Sequence, residues 1–203
     1  MFQLRPPSEA TIARCIEDAS REPLPDIGTT PRADGTIPGF RIDEFETRLG
    51  AGLAAWQAAA ESLRTWKHYD QPWIRVRPRP PEIAVGTTLA VAAHTYGVWS
   101  VNTCRIFDVM SDAGPVKRFG FAYRTLPRHV ERGDARFWVE HREDDTVWLG
   151  IRAISRLHHP LPRLLKPLGL RVQRKAFEGA IAAIRSAVDA AAGPDKKDVA
   201  GAR

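Results

Sequence analysis

Apolar residues along this chain recur at helical spacing up to about residue 87 and at every second position beyond it. Near the start, Ile12, Ile16 and Ala19 mark one face of a helix that Ser8 caps and that Pro23 and Pro25 close. A connector rich in Pro, Gly and Thr follows, PDIGTTPRADGTIPG. FRIDEFETRLG then predicts a strand ending at Gly50. AGLAAWQAAAESLRTWKHY predicts an alanine-rich helix with Leu53, Trp56, Ala60, Leu63 and Trp66 on one face. QPWIRVRPRPP is a short strand closed by prolines.

From residue 87 the alternation predicts strands at 87–96, 98–110, 116–125, 135–143 and 146–157. Their separators are Gly97, SDAGP, RHVERGD and EDD, the turn chemistry of antiparallel hairpins. HHPLPRLLKPLGLRVQRKAFEGAIAAIRSAVDAAAG follows as one long amphipathic helix. Phe177, Ile181, Ile184 and Val188 form its stripe, and Leu165, Leu168 and Val172 extend it towards the N-terminus. Pro167 and Gly169 fall near its start, and Gly193-Pro194 stops it. The chain divides into an N-terminal helix and connector (1–36), a main domain (37–193) and a disordered tail (194–203).

A meander of strands must cover its apolar face, and only the long helix offers enough apolar surface to do so. The predicted fold is therefore α+β of the helix-grip kind. A strongly curved antiparallel sheet wraps around the long C-terminal helix, and an extra helix precedes it. Such an arrangement encloses a cavity, apolar with a few polar groups that orient a ligand.

Composition changes this picture little. At 203 residues, 43% hydrophobic and 27% charged, the chain has the profile of a soluble globular protein. It lacks the run of about 18 apolar residues that a membrane span needs, and MFQLRPPSEA has no apolar signal core. A cytoplasmic protein with Cys15 and Cys104 as reduced thiols is expected. Charge is uneven: residues 1–50 carry 6 basic and 9 acidic side chains, whereas residues 151–203 carry 11 and 4. The basic cluster Arg156, His158, His159, Arg163, Lys166, Arg171, Arg174 and Lys175 is either a solvated helix face or a patch for an anionic partner. Its aromatic neighbours belong to the interior, so neither nucleic acid nor integral membrane association is expected. The six histidines lack metal-ligand spacing, and no glycine-rich phosphate loop or nucleophile elbow is present. Neither a metal nor a cofactor is expected.

Candidate chemistry gathers on FGFAYRTLPRHVERGDARFWVEH. Phe119, Phe121, Tyr123 and Thr125 alternate onto one face. They either line a ligand cavity, with the Tyr123 and Thr125 hydroxyls orienting the guest, or fill core against the long helix. His129 in the turn either serves as an acid, base or ligand contact, or caps the hairpin through backbone carbonyls. Arg105 shares odd positions with Trp99, Val101, Phe107 and Val109, so it must meet an acid or grip an anion. Arg136, Trp138 and Glu140 alternate onto one face of a later strand, where Glu140 is either that partner or an acid–base group. The ligand-pocket candidates are thus Arg105, Phe119, Phe121, Tyr123, Thr125, His129, Trp138 and Glu140; no residue is assigned a catalytic role.

LGAGLAAWQAAAESLRTWKHYD, NTCRIFDV, FGFAYRTLPRHVERGDARF, VWLGIRAISR and LPRLLKPLGLRVQRKAF together resemble a family of bacteria and plants catalogued as domain of unknown function nineteen-ninety. The resemblance spans about residues 5–190, and His129 falls in its Thr-Leu-Pro-x-His signature. One departure stands out. Relatives typically read Tyr-Gly-Thr-Leu where this chain has Tyr123-Arg124-Thr125-Leu126, so Arg124 is expected to face outward. The family is grouped with the birch-pollen-allergen-like, START-like superfamily, whose members bind hydrophobic ligands or run cyclase-like chemistry. The resemblance therefore implies the same helix-grip fold and names no reaction.

Three functions remain open on these grounds. The first is a binding protein for a small apolar or amphipathic molecule. The second is an enzyme of the same fold with cyclase- or hydratase-like acid–base chemistry, using His129 or Glu140. The third is a packed-core interaction module with a basic surface helix. An ionisable side chain inside the cavity without an internal partner would mark the enzyme. A void smaller than about 300 Å³ would remove the container.

Overall fold

In the computed structural model, residues 2–27, 35–157 and 166–192 are described. Ser8 Oγ accepts the backbone N–H of Thr11 (3.1 Å) and opens α1 (Glu9–Ser20), as its capping chemistry predicts. β2 (Arg41–Ala51) leads directly into α2 (Gly52–Arg64). That helix stops short of Tyr69. Trp66 takes a left-handed backbone (φ 58°), and its buried indole N–H donates to Pro81 O at 2.9 Å, so the chain turns into a 3-10 turn at Lys67–Tyr69. The apolar face of α2 also lies slightly round from expectation. Leu53 is 53% exposed, whereas Ala60, Leu63 and Trp66 are buried as expected and Ala55 and Ala59 join them.

The strands are β3 (Ile74–Arg77), β4 (Thr88–Thr95), β5 (Val98–Ala113), β6 (Lys117–Thr125), β7 (Glu131–His141) and β8 (Thr146–Leu157). β7 thus begins at Glu131 rather than 135. A short β1 (Phe2–Gln3), not foreseen from the pattern, pairs with β5 at Ser100 and Trp99, beyond the point where β6 reaches. The eight strands form one antiparallel sheet ordered β2-β8-β7-β6-β5-β4-β3, with β1 beside β5. A β-bulge between Ile106 and Asp108 bends β5 and reverses which of its residues face inward. α3 (Lys166–Ala192) carries Pro167 in its first turn, where a missing N–H costs the helix nothing. Residues 28–34 of the expected connector, the segment 158–165 with His158, His159, Arg163 and Leu165, and the stop and tail from 193 onwards lie outside the described residues.

Two cores share the sheet as a common wall. On the concave face, Phe121, Phe137, Leu149 and Ile151 pack against α2 and against Phe177, Ala180, Ile184 and Val188 of α3. α3 comes close to the loop after the 3-10 turn because position 179 is glycine. A Cβ there would stand 2.3 Å from Gln71 Oε1, while Gln71 Nε2 donates to Ala176 O at 3.0 Å. On the convex face, α1 lays Ile12, Cys15 and Ile16 over Ala90, Ala92, Trp99 and Val101. No helix among the described residues is long and apolar enough to cross a membrane.

Candidate functional site

The concave face changes character along its strands. One cross-strand row reads Phe121, Phe137, Ile151 and Phe45; the next reads Tyr123, Ala135, Ala153 and Asp43. Further on come Gly133 and Ser155, and on β5 Ser100 and Cys104. Large side chains fill the space under α2 and the later turns of α3, whereas small ones leave it open under Leu168, Val172, Ala176 and Phe177. The result is a cavity of about 320 Å³ between the sheet and the first half of α3. Phe2, Trp73 and Tyr96 also contribute to its lining, with Tyr96 exposed at the tip of the β4–β5 hairpin.

One end of the void is polar. The hydroxyls of Tyr69, from the 3-10 turn, and Tyr123, from β6, hydrogen-bond each other. Since one hydroxyl supplies the shared proton, the other keeps an O–H to offer elsewhere. Thr125 Oγ1 accepts Gly133 N–H at 2.9 Å, and Asn102 Oδ1 accepts Val130 N–H at 3.3 Å. These bonds, with Leu126 N–H to Thr103 O (3.0 Å), fix the turn after β6. His129 Nδ1 accepts Glu131 N–H at 2.9 Å, which places the ring proton on Nε2. The turn therefore delivers His129, Val130 and Glu131 to the cavity wall in a built conformation.

Burial sets the protonation states here. It pushes His129 down to about 4, so the imidazole is neutral at ordinary pH. Burial also pushes the Tyr69, Tyr123 and Cys104 groups up, keeping all three protonated. Glu131 is raised to about 7, first by burial and then by Asp43, with Arg41 opposing. Its charge bears in turn on Tyr69, Tyr123 and Cys104. The Glu131 carboxylate has neither a hydrogen bond nor an ion pair to a described residue. It lines a largely apolar void.

The sequence-derived candidates divide between the two faces. Tyr123, Thr125 and His129 line the cavity, and Phe119 and Phe121 share its face but pack in the core beyond it. Arg105 faces the opposite way. Its guanidinium donates to Ala19 O (2.7 Å), Glu22 O (2.9 Å) and Thr88 Oγ1 (3.0 Å), closing the C-terminus of α1. Arg105 keeps the parity of Trp99 and Val101, which pack under α1, and the bulge after Ile106 carries Val109 to the opposite face. Trp138 and Glu140 are on the convex face as well. Trp138 covers Gly150, and Glu140 pairs with Arg118 (2.8 Å) and Arg142 (3.2 Å). Arg124 points outward as expected and forms a two-pronged pair with Asp134 (2.7 and 3.1 Å). Glu131, which the pattern left inside a turn, is the residue that sequence reasoning missed. Among the described residues no group of three or more His, Cys, Asp or Glu is placed to hold a metal ion.

Comparison with known proteins adds kinship to this geometry. The family described as "Domain of unknown function (DUF1990)" matches residues 24–183. A UPF0548 protein of Deinococcus radiodurans is 32% identical over 186 residues, covering 86% of this chain and 92% of that protein. A UPF0548 protein of Dictyostelium discoideum is 33% identical over 153 residues, covering 69% and 70%. Among solved structures, that of Ara h 8.0201 superposes with a TM-score of 0.49 at 16% identity, covering 75% of this chain and 99% of that one. The Zhui aromatase/cyclase of Streptomyces sp. R1128 gives 0.49 at 15% identity, covering 77% and 99%.

Proposed function

This chain belongs to the DUF1990 family, and from that membership and the cavity we propose that it is a binding protein for a small, mostly apolar molecule. The guest lies between the concave sheet face and the first half of α3. The observation that carries this reading is the void of about 320 Å³, which falls within the usual range for small-molecule sites. Its apolar walls supply affinity, and the groups at its polar end fix orientation. A packed-core interaction module fits poorly with a space of this size. Native mass spectrometry of freshly purified protein, compared with the denatured mass, is the direct test. A discrete excess mass lost on denaturation is expected. No excess mass, and no stabilisation by a panel of lipids and aromatics, would move the function to the surface.

Glu131 favours a second reading, an acid–base enzyme of the same fold. A carboxyl held near neutrality can both take and return a proton, and the Tyr69–Tyr123 pair has a hydroxyl proton to stabilise a developing oxyanion. The two readings part on the identity of the bound compound. If the protein is a carrier, whatever compound the Glu131→Gln variant holds is the wild type's, at equal or lower occupancy. If it is an enzyme, the variant accumulates a different compound, the unconverted substrate.

A further inference from the structure

The cavity has a charge character that narrows its guest. Among the described residues that line it there is no lysine and no arginine, although the chain carries a net charge of +6. Arginines on the surrounding strands are engaged elsewhere: Arg105 at the end of α1, Arg124 on Asp134, Arg136 on Asp108 and Arg41 on Asp43. Two acceptors are left unmet beside the spare hydroxyl proton of the Tyr69–Tyr123 pair. The Glu131 carboxylate is unpartnered among the described residues. Gln173 donates its amide N–H to Ser155 Oγ (3.1 Å), but its Oε1 is buried with no partner. A buried acceptor such as Gln173 Oε1 is costly until a donor reaches it. Tyr69, Trp73, Tyr96, Tyr123 and Phe177 add aromatic surface, which attracts cations when the ring face is presented.

We infer that the cavity selects an apolar amine, a compound with a hydrophobic body and a protonated amino head that donates to Glu131 and Gln173 Oε1. A carboxylate of the same shape is disfavoured, because it would set one negative charge against another with no lysine or arginine among the described lining residues to meet it. A matching alcohol brings a single donor and no charge, and so binds more weakly than the amine. This deepens the container reading above and depends on it.

The ionisable side chains around Glu131 are Arg41 and Asp43 of β2, Tyr69 of the 3-10 turn, Cys104 of β5, Tyr123 of β6, and His129 of the turn before β7, on which the N-terminal ammonium also bears. Arg41 and Asp43 are paired with each other. The thiol and both phenols titrate above the neutral range, and His129 titrates near 4. Between about pH 5.5 and about pH 8, Glu131 is therefore the member of this set that changes charge.

Three shape-matched probes test the inference by isothermal titration on the full chain: 2-naphthylmethylamine, 2-naphthylmethanol and 2-naphthoate. At about pH 8 the amine is expected to bind at least roughly tenfold tighter than either of the others. Its affinity should fall by about tenfold on going to about pH 5.5, while the alcohol's changes less than about threefold. Glu131→Gln should remove the same factor at about pH 8, and the pH series on the wild type does not depend on that variant folding. Naphthoate binding as tightly as the amine, or amine binding that ignores both pH and Glu131→Gln, overturns the inference and leaves the container standing. If none of the three binds, the container reading falls with it.

Discussion

A Cβ built on Gly150 would stand 2.1 Å from the Trp138 ring, so the indole lies flat over a glycine on the convex face. Gly150→Ala must displace that ring, and urea unfolding should show a loss of about 1–3 kcal/mol. A change below a few tenths would mean that Trp138 is not held there. Trp138 was legible as part of an alternating set with Arg136 and Glu140, but alternation alone does not say which side of a sheet is inward. Glu131 was hidden for a different reason. The polar run RHVERGD resembles a loop throughout, yet its last residues already pair with β8, Glu131 opposite Leu157 and Gly133 opposite Ser155. Counting back by twos from Phe137 through Ala135 and Gly133 reaches Glu131, so the signal was present in the parity of the strand.

At the scale of elements, Arg105 ties α1 to the sheet by accepting none of the roles that a cavity arginine would have. Removing it takes the guanidinium donors from Ala19 O and Glu22 O and leaves Ala19 O, among the described residues, with only the Glu22 N–H at 3.2 Å. Arg105→Ala should cost about 1–3 kcal/mol and speed amide exchange across α1, with the cavity's ligand affinity changed less than about twofold. Arg105→Lys should rescue only part of this, since an ammonium lacks the planar fork that reaches Ala19, Glu22 and Thr88 together. An equal loss of ligand binding would return Arg105 to the cavity. Most elements were legible because their periods were clean: the extents of β2, β4, β6 and β8 lie close to those read from alternation. Two local backbone events were not legible. The bulge in β5 reverses its inward face, and the left-handed Trp66 ends a run that helical spacing would have carried on to Tyr69.

For the whole molecule, stability should depend on pH through three groups that folding displaces in opposite directions. His68 is fully buried against Trp66, Tyr69, Phe121 and Phe137, and neither ring nitrogen has a partner. Burial pushes it down to about 3, and His129 to about 4. Below their ordinary value of 6.5 the unfolded chain takes up protons that the folded one refuses, so both histidines make stability fall as pH drops. Glu131 acts in the other sense. Its stabilising share is complete below the ordinary 4.5 and is lost as pH rises through about 7. Between about pH 5 and about pH 6, these groups together give a net slope near one proton, roughly 1.4 kcal/mol per pH unit at most. Glu131→Gln should steepen that slope towards about 2.7 kcal/mol per pH unit, whereas His68→Phe should flatten it. Chemical denaturation across that range measures both, and identical slopes in wild type and variants would refute this assignment. Finally, of the six tryptophans in the chain, Trp73 is the one that lines the cavity, with the Lys175 ammonium 5.2 Å from its ring on the side of α3. The protein thus carries its own optical gauge of occupancy. A guest settling beside Trp73 changes the polarity around a single indole while five others serve as an internal reference, so filling of the cavity can be followed by emission from the unlabelled chain.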